Sequence, residues 1–208
     1  MPIITVSRLY ASGGASLAAR VAHSLGWPLL DDLFTEAVAH EAGVPPAEVA
    51  AREERVPTLV ERVLNALALG SPEVLPTLLE AAPQITEERL LAITRRVIEE
   101  AAAAGPTVVV GRGAQSVLAA RADALHVFCH APRRALVARA MERLATDEKR
   151  AAEFVDETNH QREQYVRTHF GREWRSVEAY HLCVDTEAFG IEGGAELVLQ
   201  AARLRFGL

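Results

Sequence analysis

The sequence predicts an α/β protein: an open parallel sheet of five strands with helices on both faces. Two observations lead to the class. The strand-like segments are short runs, rich in Val and Ile and apolar at successive positions, as strands buried on both faces require. Segments with helical spacing lie between them, and a strand–helix alternation closes through right-handed crossovers into a parallel sheet. A third observation marks where to look for a ligand: the first strand-to-helix turn carries a glycine pair, read either as a phosphate loop or as a plain glycine turn.

The elements follow in order. The run 3–6 is the first strand, and RLYASGG leads from it into a helix with Leu17, Val21 and Leu25 on one face. Gly26 and Pro28 stop that helix. The second strand, 27–30, closes on Asp31 and Asp32. The stretch 32–105 has helical patterns broken by prolines at 45, 46, 57, 72, 76 and 83, and reads as a helical insertion. It serves either as an acceptor-side subdomain or as a surface for a homodimer. The third strand is 107–110, the fourth 125–129 and the fifth 182–184, with helices over 135–144 and 194–206. The polar segment 146–175 is helical and strongly charged, either a solvated arm or a lid that folds over a phosphate. All of it forms one domain, 1–208.

Composition narrows the partners. The chain is 50% hydrophobic and 24% charged, with a formal charge of -6. An acidic chain has no footprint for a nucleic acid polymer. Its basic residues crowd between Arg133 and Arg175, which suits a small anionic ligand; a solvated helix face is the plainer alternative. No run is long enough to span a bilayer and no leader opens the chain, so we expect a cytoplasmic protein without a membrane partner. Cys129 and Cys183 lie in apolar runs and are expected as buried free thiols. The histidines lack metal-ligand spacing. His130, following the fourth strand, is the one placed near a site.

In an open parallel sheet, ligands bind beyond the carboxyl ends of the strands. The usual phosphate loop is G-x-x-x-x-G-K-[ST], with lysine on the β/γ-phosphates and the hydroxyl on Mg²⁺. Here the register is Arg8, Leu9, Tyr10, Ala11, Ser12, Gly13, Gly14, Ala15, Ser16. Gly13 keeps the second glycine and Ser16 stands at or beside the metal hydroxyl. Arg8 replaces the first glycine, and Gly14 replaces the lysine. The chain's single lysine is Lys149. Phosphoryl transfer needs positive charge at the moving group, so Arg8, Arg112, Arg139, Arg143 and Arg162 are the candidate cations. Arg8 and Arg112 follow strands directly. Arg139 and Arg143 share a helix face, where pairing with Glu142 or Asp147 is the structural alternative. Asp31 is a candidate general base or metal contact, with an N-cap role as its alternative, which Asp32 fits equally well. Asp185 is expected to cap the last helix.

Several segments in order resemble the cytidylate kinase-like family. These are SRLYASGGASLAARVAHSLGWPLLDDLF, VVVGRGA, LHVFCHAP with ALVARAMER, REQYVRTHFGREW and AYHLCVDTEAFGIE. The resemblance covers nearly the whole chain outside 32–105, and the Arg8-like residue and doubled glycine are common in that family. It implies a P-loop fold and an ATP- and Mg²⁺-dependent phosphotransferase acting on a small-molecule acceptor, a nucleoside monophosphate by default. It implies donor-phosphate contacts from Arg8, Tyr10, Ser12, Gly13, Gly14, Ala15 and Ser16, acceptor contacts from Arg112 and Asp31, and lid contacts from Arg143, Lys149 and Arg162. True cytidylate kinases carry Gly-Arg-Asp after the third strand, the Asp reading cytosine. Here Gly111, Arg112 and Gly113 keep the Arg without that Asp, and Val110 stands where those enzymes have another Asp, which counts against cytosine. Two alternatives stand beside this reading: a nucleotide-binding regulatory module without catalysis, and a kinase of a non-nucleotide metabolite.

Overall fold

The computed structural model describes residues 1–31 and 87–208. Most of the 32–105 insertion, with Asp32 and the proline-broken helical patterns, lies outside the described residues. Its last part is helix α2, Glu87–Ala104.

Among the described residues the sheet has five strands in the order β2-β3-β1-β4-β5. These are β1 Ile3–Arg8, β2 Leu29–Leu30, β3 Thr107–Val110, β4 Ala124–His130 and β5 Leu182–Asp185. Every pairing is parallel. β1 is central, with Val6 opposite Val110 on one side and Val127 on the other. The second strand is shorter than the run 27–30 suggests, because helix α1 (Gly14–Leu25) claims the first backbone groups of that run. Gly26 ends the helix in the left-handed region, and the N–H of Trp27 donates back to the carbonyl of Ala22 at 2.9 Å.

Alternation along β1 sends Ile4 and Val6 to one face, where they pack with Leu17, Val21, Val198 and Ala202 of α1 and α6 (Gly190–Phe206). Ile3 points to the other face, against Ile93 and Ile98 of α2. Val108, Val109 and Val110 are fully buried, so β3 is covered on both sides. Each such side chain contributes about 1.5–3 kcal/mol through removal from water. The first face therefore belongs to α1 and α6. The second belongs to α2, to the short α3 (Ala114–Val117) and to an aromatic cluster of Phe128, Tyr165, Trp174 and Tyr180.

Helices α4 (Arg133–Leu144) and α5 (Glu148–Phe170) form a hairpin beyond β4. Asp147 caps α5 by accepting from the N–H of Arg150 at 3.0 Å, and Gly171 closes it in the left-handed region. Charged as it is, α5 buries a stripe: Ala151, Val155, Asn159, Tyr165 and Val166. The 146–175 segment thus lies docked along the carboxyl ends of the strands, with its charges on the outer face. Among the described residues, no helix is long and apolar enough to cross a membrane.

Candidate functional site

The loop that joins β1 to α1 is tightly braced. The N–H of Leu9 donates to the Cys129 carbonyl, and that of Ser12 folds back onto the Leu9 carbonyl. Ala11 takes a φ of 59° and Gly13 a φ of 77°. A Cβ on Gly13 would overlap the Ile191 side chain. Gly13 is the N-cap of α1 and offers no side chain to the first N–H groups of the helix. A helix that starts this way presents backbone donors and a positive dipole end to an anion. Ser12 is fully buried, and its Oγ has no hydrogen-bond partner among the described residues. A cradle closed to side chains, an uncapped twelve-residue helix and an orphaned hydroxyl together fit a bound phosphate. Ala15 and Ser16 are exposed on the first turn of α1.

Two contacts that the sequence reading missed hold this loop from outside. Thr186, just after β5, is 1% exposed and donates its hydroxyl to the Ser12 carbonyl at 2.6 Å. The same oxygen lies 3.1 Å from both the His130 carbonyl and Nη1 of Arg139. Asn159 of α5, 4% exposed, accepts from the N–H of Tyr10 at 2.8 Å. Thr186 left no signal in the sequence, because its partners are up to 174 positions away. Asn159 left one: it continues the buried stripe Ala151, Val155 at four-residue spacing.

The candidate cations separate into groups. Arg162 of α5 donates to the Arg8 carbonyl at 2.9 Å, and both residues line a cleft with Ser7, Gln115, Tyr165 and Trp174. The Arg143 guanidinium sits 5.7 Å from the Tyr10 ring, whose edge meets Phe154. Arg8, Arg143 and Arg162 are thus gathered around the loop. Lys149 is not: it is exposed in the first turn of α5, ten residues or about 15 Å of helix before Asn159. Arg139 binds the Thr186 carbonyl and Glu187 rather than Glu142 or Asp147. The Tyr10 N–H is engaged by Asn159, and its ring packs against the α4–α5 hairpin beside Phe154 and Arg143.

After β3 the chain turns through three consecutive left-handed residues: Gly111, Arg112 and Gly113, with φ of 69°, 55° and 69°. Arg112 is only 6% exposed and donates to the Asp31 carbonyl at 3.0 Å. The two acceptor-side candidates therefore touch through the Asp31 backbone. A side chain at Gly113 would overlap the Phe170 ring, which is held under Arg95 at 5.0 Å and against Tyr165.

Near the loop, burial pushes the Cys129 thiol up to about 12, so it stays neutral and is no nucleophile. Cys183 is exposed, contrary to expectation, because it lies on edge strand β5; both thiols are free. Asp185 does not cap α6. Its Oδ1 accepts from the N–H groups of Glu187 and Ala188, fixing the turn that precedes the helix. His130 lends the site its carbonyl, while its ring lies 6.5 Å from that of Phe128. His169 meets the Tyr165 ring edge-to-face at 4.7 Å. Among the described residues no group of three His, Cys, Asp or Glu could hold a metal.

A parallel sheet of this order, with an anion-binding turn at the end of its central strand, defines a P-loop kinase-type fold. The chain belongs to the cytidylate kinase-like family, which it matches over residues 3–188. No curated protein matches it. Among solved structures it is similar to an uncharacterized protein from Eubacterium ventriosum, at 17% identity and a TM-score of 0.67, covering 97% of this chain and 98% of that one. It is similar to shikimate kinase from Bacteroides thetaiotaomicron at 12% identity and TM-score 0.53, covering 96% and 97%. For the Acinetobacter baumannii shikimate kinase solved in complex with shikimate, the figures are 12%, 0.54, 99% and 95%. At these identities the structures establish a shared fold. With the family match, they support a phosphotransferase.

Proposed function

We propose that this protein transfers the γ-phosphoryl group of ATP to a small-molecule acceptor. In this reaction class, a bond from an acceptor oxygen to phosphorus replaces the bond to the β–γ bridging oxygen. ADP departs, and the acceptor proton is lost to a base or to solvent. One observation carries the reading: the glycine-walled, uncapped N-terminus of α1 ends on a buried hydroxyl, with Arg8, Arg143 and Arg162 around it. ATP would supply the phosphoryl group, and a bound Mg²⁺ would add positive charge to the transferring phosphates. The backbone from Ser12 to Ser16 would hold the donor phosphates, and the Ser16 hydroxyl would be the protein's contact for the metal. Arg112 and Asp31 face the acceptor. Arg162, fixed to the loop through the Arg8 carbonyl, and Arg143, lying over Tyr10, supply charge from the α4–α5 side.

A nucleoside monophosphate is the default acceptor. The packing of Phe170 against Gly113 favours a second reading, a non-nucleotide metabolite, because no side chain at position 113 can read a base. One experiment addresses both: a coupled ADP-release assay across the nucleoside monophosphates and a panel of small hydroxylated and phosphorylated compounds. Turnover with one class names the acceptor. No turnover above background with any of them, while Mg-ATP still binds by calorimetry, replaces the kinase with a nucleotide-binding module.

A further inference from the structure

We propose that Arg8 and Gly14 are one reciprocal exchange: the side chain and charge that a phosphate loop usually carries on its helix have moved to the end of β1. A Cβ built on Gly14 would stand 2.5 Å from the Arg8 Cβ and 3.1 Å from the Cys129 Cβ. The first separation is closer than two carbons can approach. The Arg8 Cβ cannot yield, because its backbone is in the sheet, paired in register with Cys129. Position 14 is therefore confined to glycine for as long as position 8 carries a side chain. A conventional lysine would start inside the stem of Arg8.

The same closeness is why Arg8 can replace that lysine. Two side chains whose Cβ positions lie 2.5 Å apart start side by side, and arginine is no shorter than lysine. Ile4 and Val6 point into the core under α1. Arg8 is the next residue on that face, so its stem leaves the sheet where α1 begins. Its guanidinium offers a fork of donors in place of an ammonium point charge. Arg162, anchored on the Arg8 carbonyl, brings a second cation to the same end of β1.

The kinetic part of this inference rests on the phosphotransferase reading, and the binding part does not. The test compares the wild type with Arg8→Met, which keeps the stem and removes the charge, and with Gly14→Lys, Arg8→Gly and the double swap Arg8→Gly/Gly14→Lys. Each is measured for cooperative melting, for Mg-ATP and Mg-ADP affinity by calorimetry, and for ADP release with the best acceptor. Arg8→Met should melt like the wild type, lose roughly ten- to hundredfold in preference for ATP over ADP, and lose ~10²–10³ in turnover. Gly14→Lys alone should be destabilised and weak. The double swap should recover at least about tenfold of the binding preference that Arg8→Gly loses, since the overlap with Arg8 is gone and the 3.1 Å approach to Cys129 asks for a shift of only a few tenths of an ångström. Wild-type discrimination and turnover in Arg8→Met would overturn the exchange. So would a cooperatively melting double swap that binds no better than Arg8→Gly. If the wild type itself turns over no acceptor, the kinase reading fails, and the ratio of ATP to ADP affinity still decides the exchange.

Discussion

The turns after β1 and β3 are neighbours built from similar parts, yet they do opposite things with their glycines and arginines. Each places an arginine at the end of a strand and has a glycine whose missing side chain is replaced by a neighbour's. In the first turn that neighbour is the stem of Arg8. The loop runs into a twelve-residue helix whose end is left open to an anion. In the second the neighbour is Phe170, the helix that follows has four residues, and Arg112 is buried with a donor on the Asp31 carbonyl. A glycine at a strand end is therefore not in itself a ligand signature. What separates the two is whether the space it leaves is taken by a charged stem or by an aromatic ring.

The largest effect expected from breaking this contrast is at Gly113. An alanine there meets Phe170 in a left-handed backbone, so it should destabilise by about 2–4 kcal/mol in urea titration. Adding Phe170→Ala should remove the overlap and leave the backbone penalty of about 1–2 kcal/mol.

Acid should weaken the second side of the sheet by a comparable amount. Burial, then the charges of His181, Arg205 and Arg172, lower the His126 pKa from 6.5 to about 4. The folded state thus refuses a proton that the unfolded state takes. The associated stability is complete above pH 6.5 and is lost as pH falls toward 4, by up to about 3 kcal/mol. His126→Gln should flatten that part of the stability–pH curve.

Gly14→Ala carries the overlap without the left-handed φ and should cost about 1–3 kcal/mol, a loss that Arg8→Gly in the same chain relieves. Thr186→Val should cost about 1–3 kcal/mol by leaving the Ser12 carbonyl unpaired, and should raise the KM for ATP; Thr186→Ser should keep most of both. The smallest change belongs to Arg143→Gln. It removes an exposed cation from the Tyr10 ring for about 0.5–1 kcal/mol in the same urea titration, so a much larger fall in kcat would mark a contact with the transferred phosphate.

The fold was legible because a buried parallel sheet writes itself locally. The valines at 108, 109 and 110 announce β3 without reference to any partner. The glycine pair announced the loop for the same reason, since a left-handed Gly13 is a local demand. What stayed hidden depends on distant partners. That Gly14 answers to Arg8, Gly113 to Phe170 and Ser12 to Thr186 is a property of packed pairs, and no periodicity encodes them. The 146–175 segment was ambiguous because its composition reports the outer face of α5, whereas its docking is written in a few small or uncharged positions such as Ala151 and Asn159.

The bond from Thr186 to Ser12 also sets a timetable. The loop between β1 and α1 is completed by a residue 174 positions beyond Ser12, and by Ile191 beyond that, so it cannot take its final shape before that part of the chain has been made. A nascent chain halted anywhere before residue 186 would carry every glycine of the loop without the Thr186 brace. Bracing of the loop should therefore switch on abruptly during translation, when β5 joins the sheet.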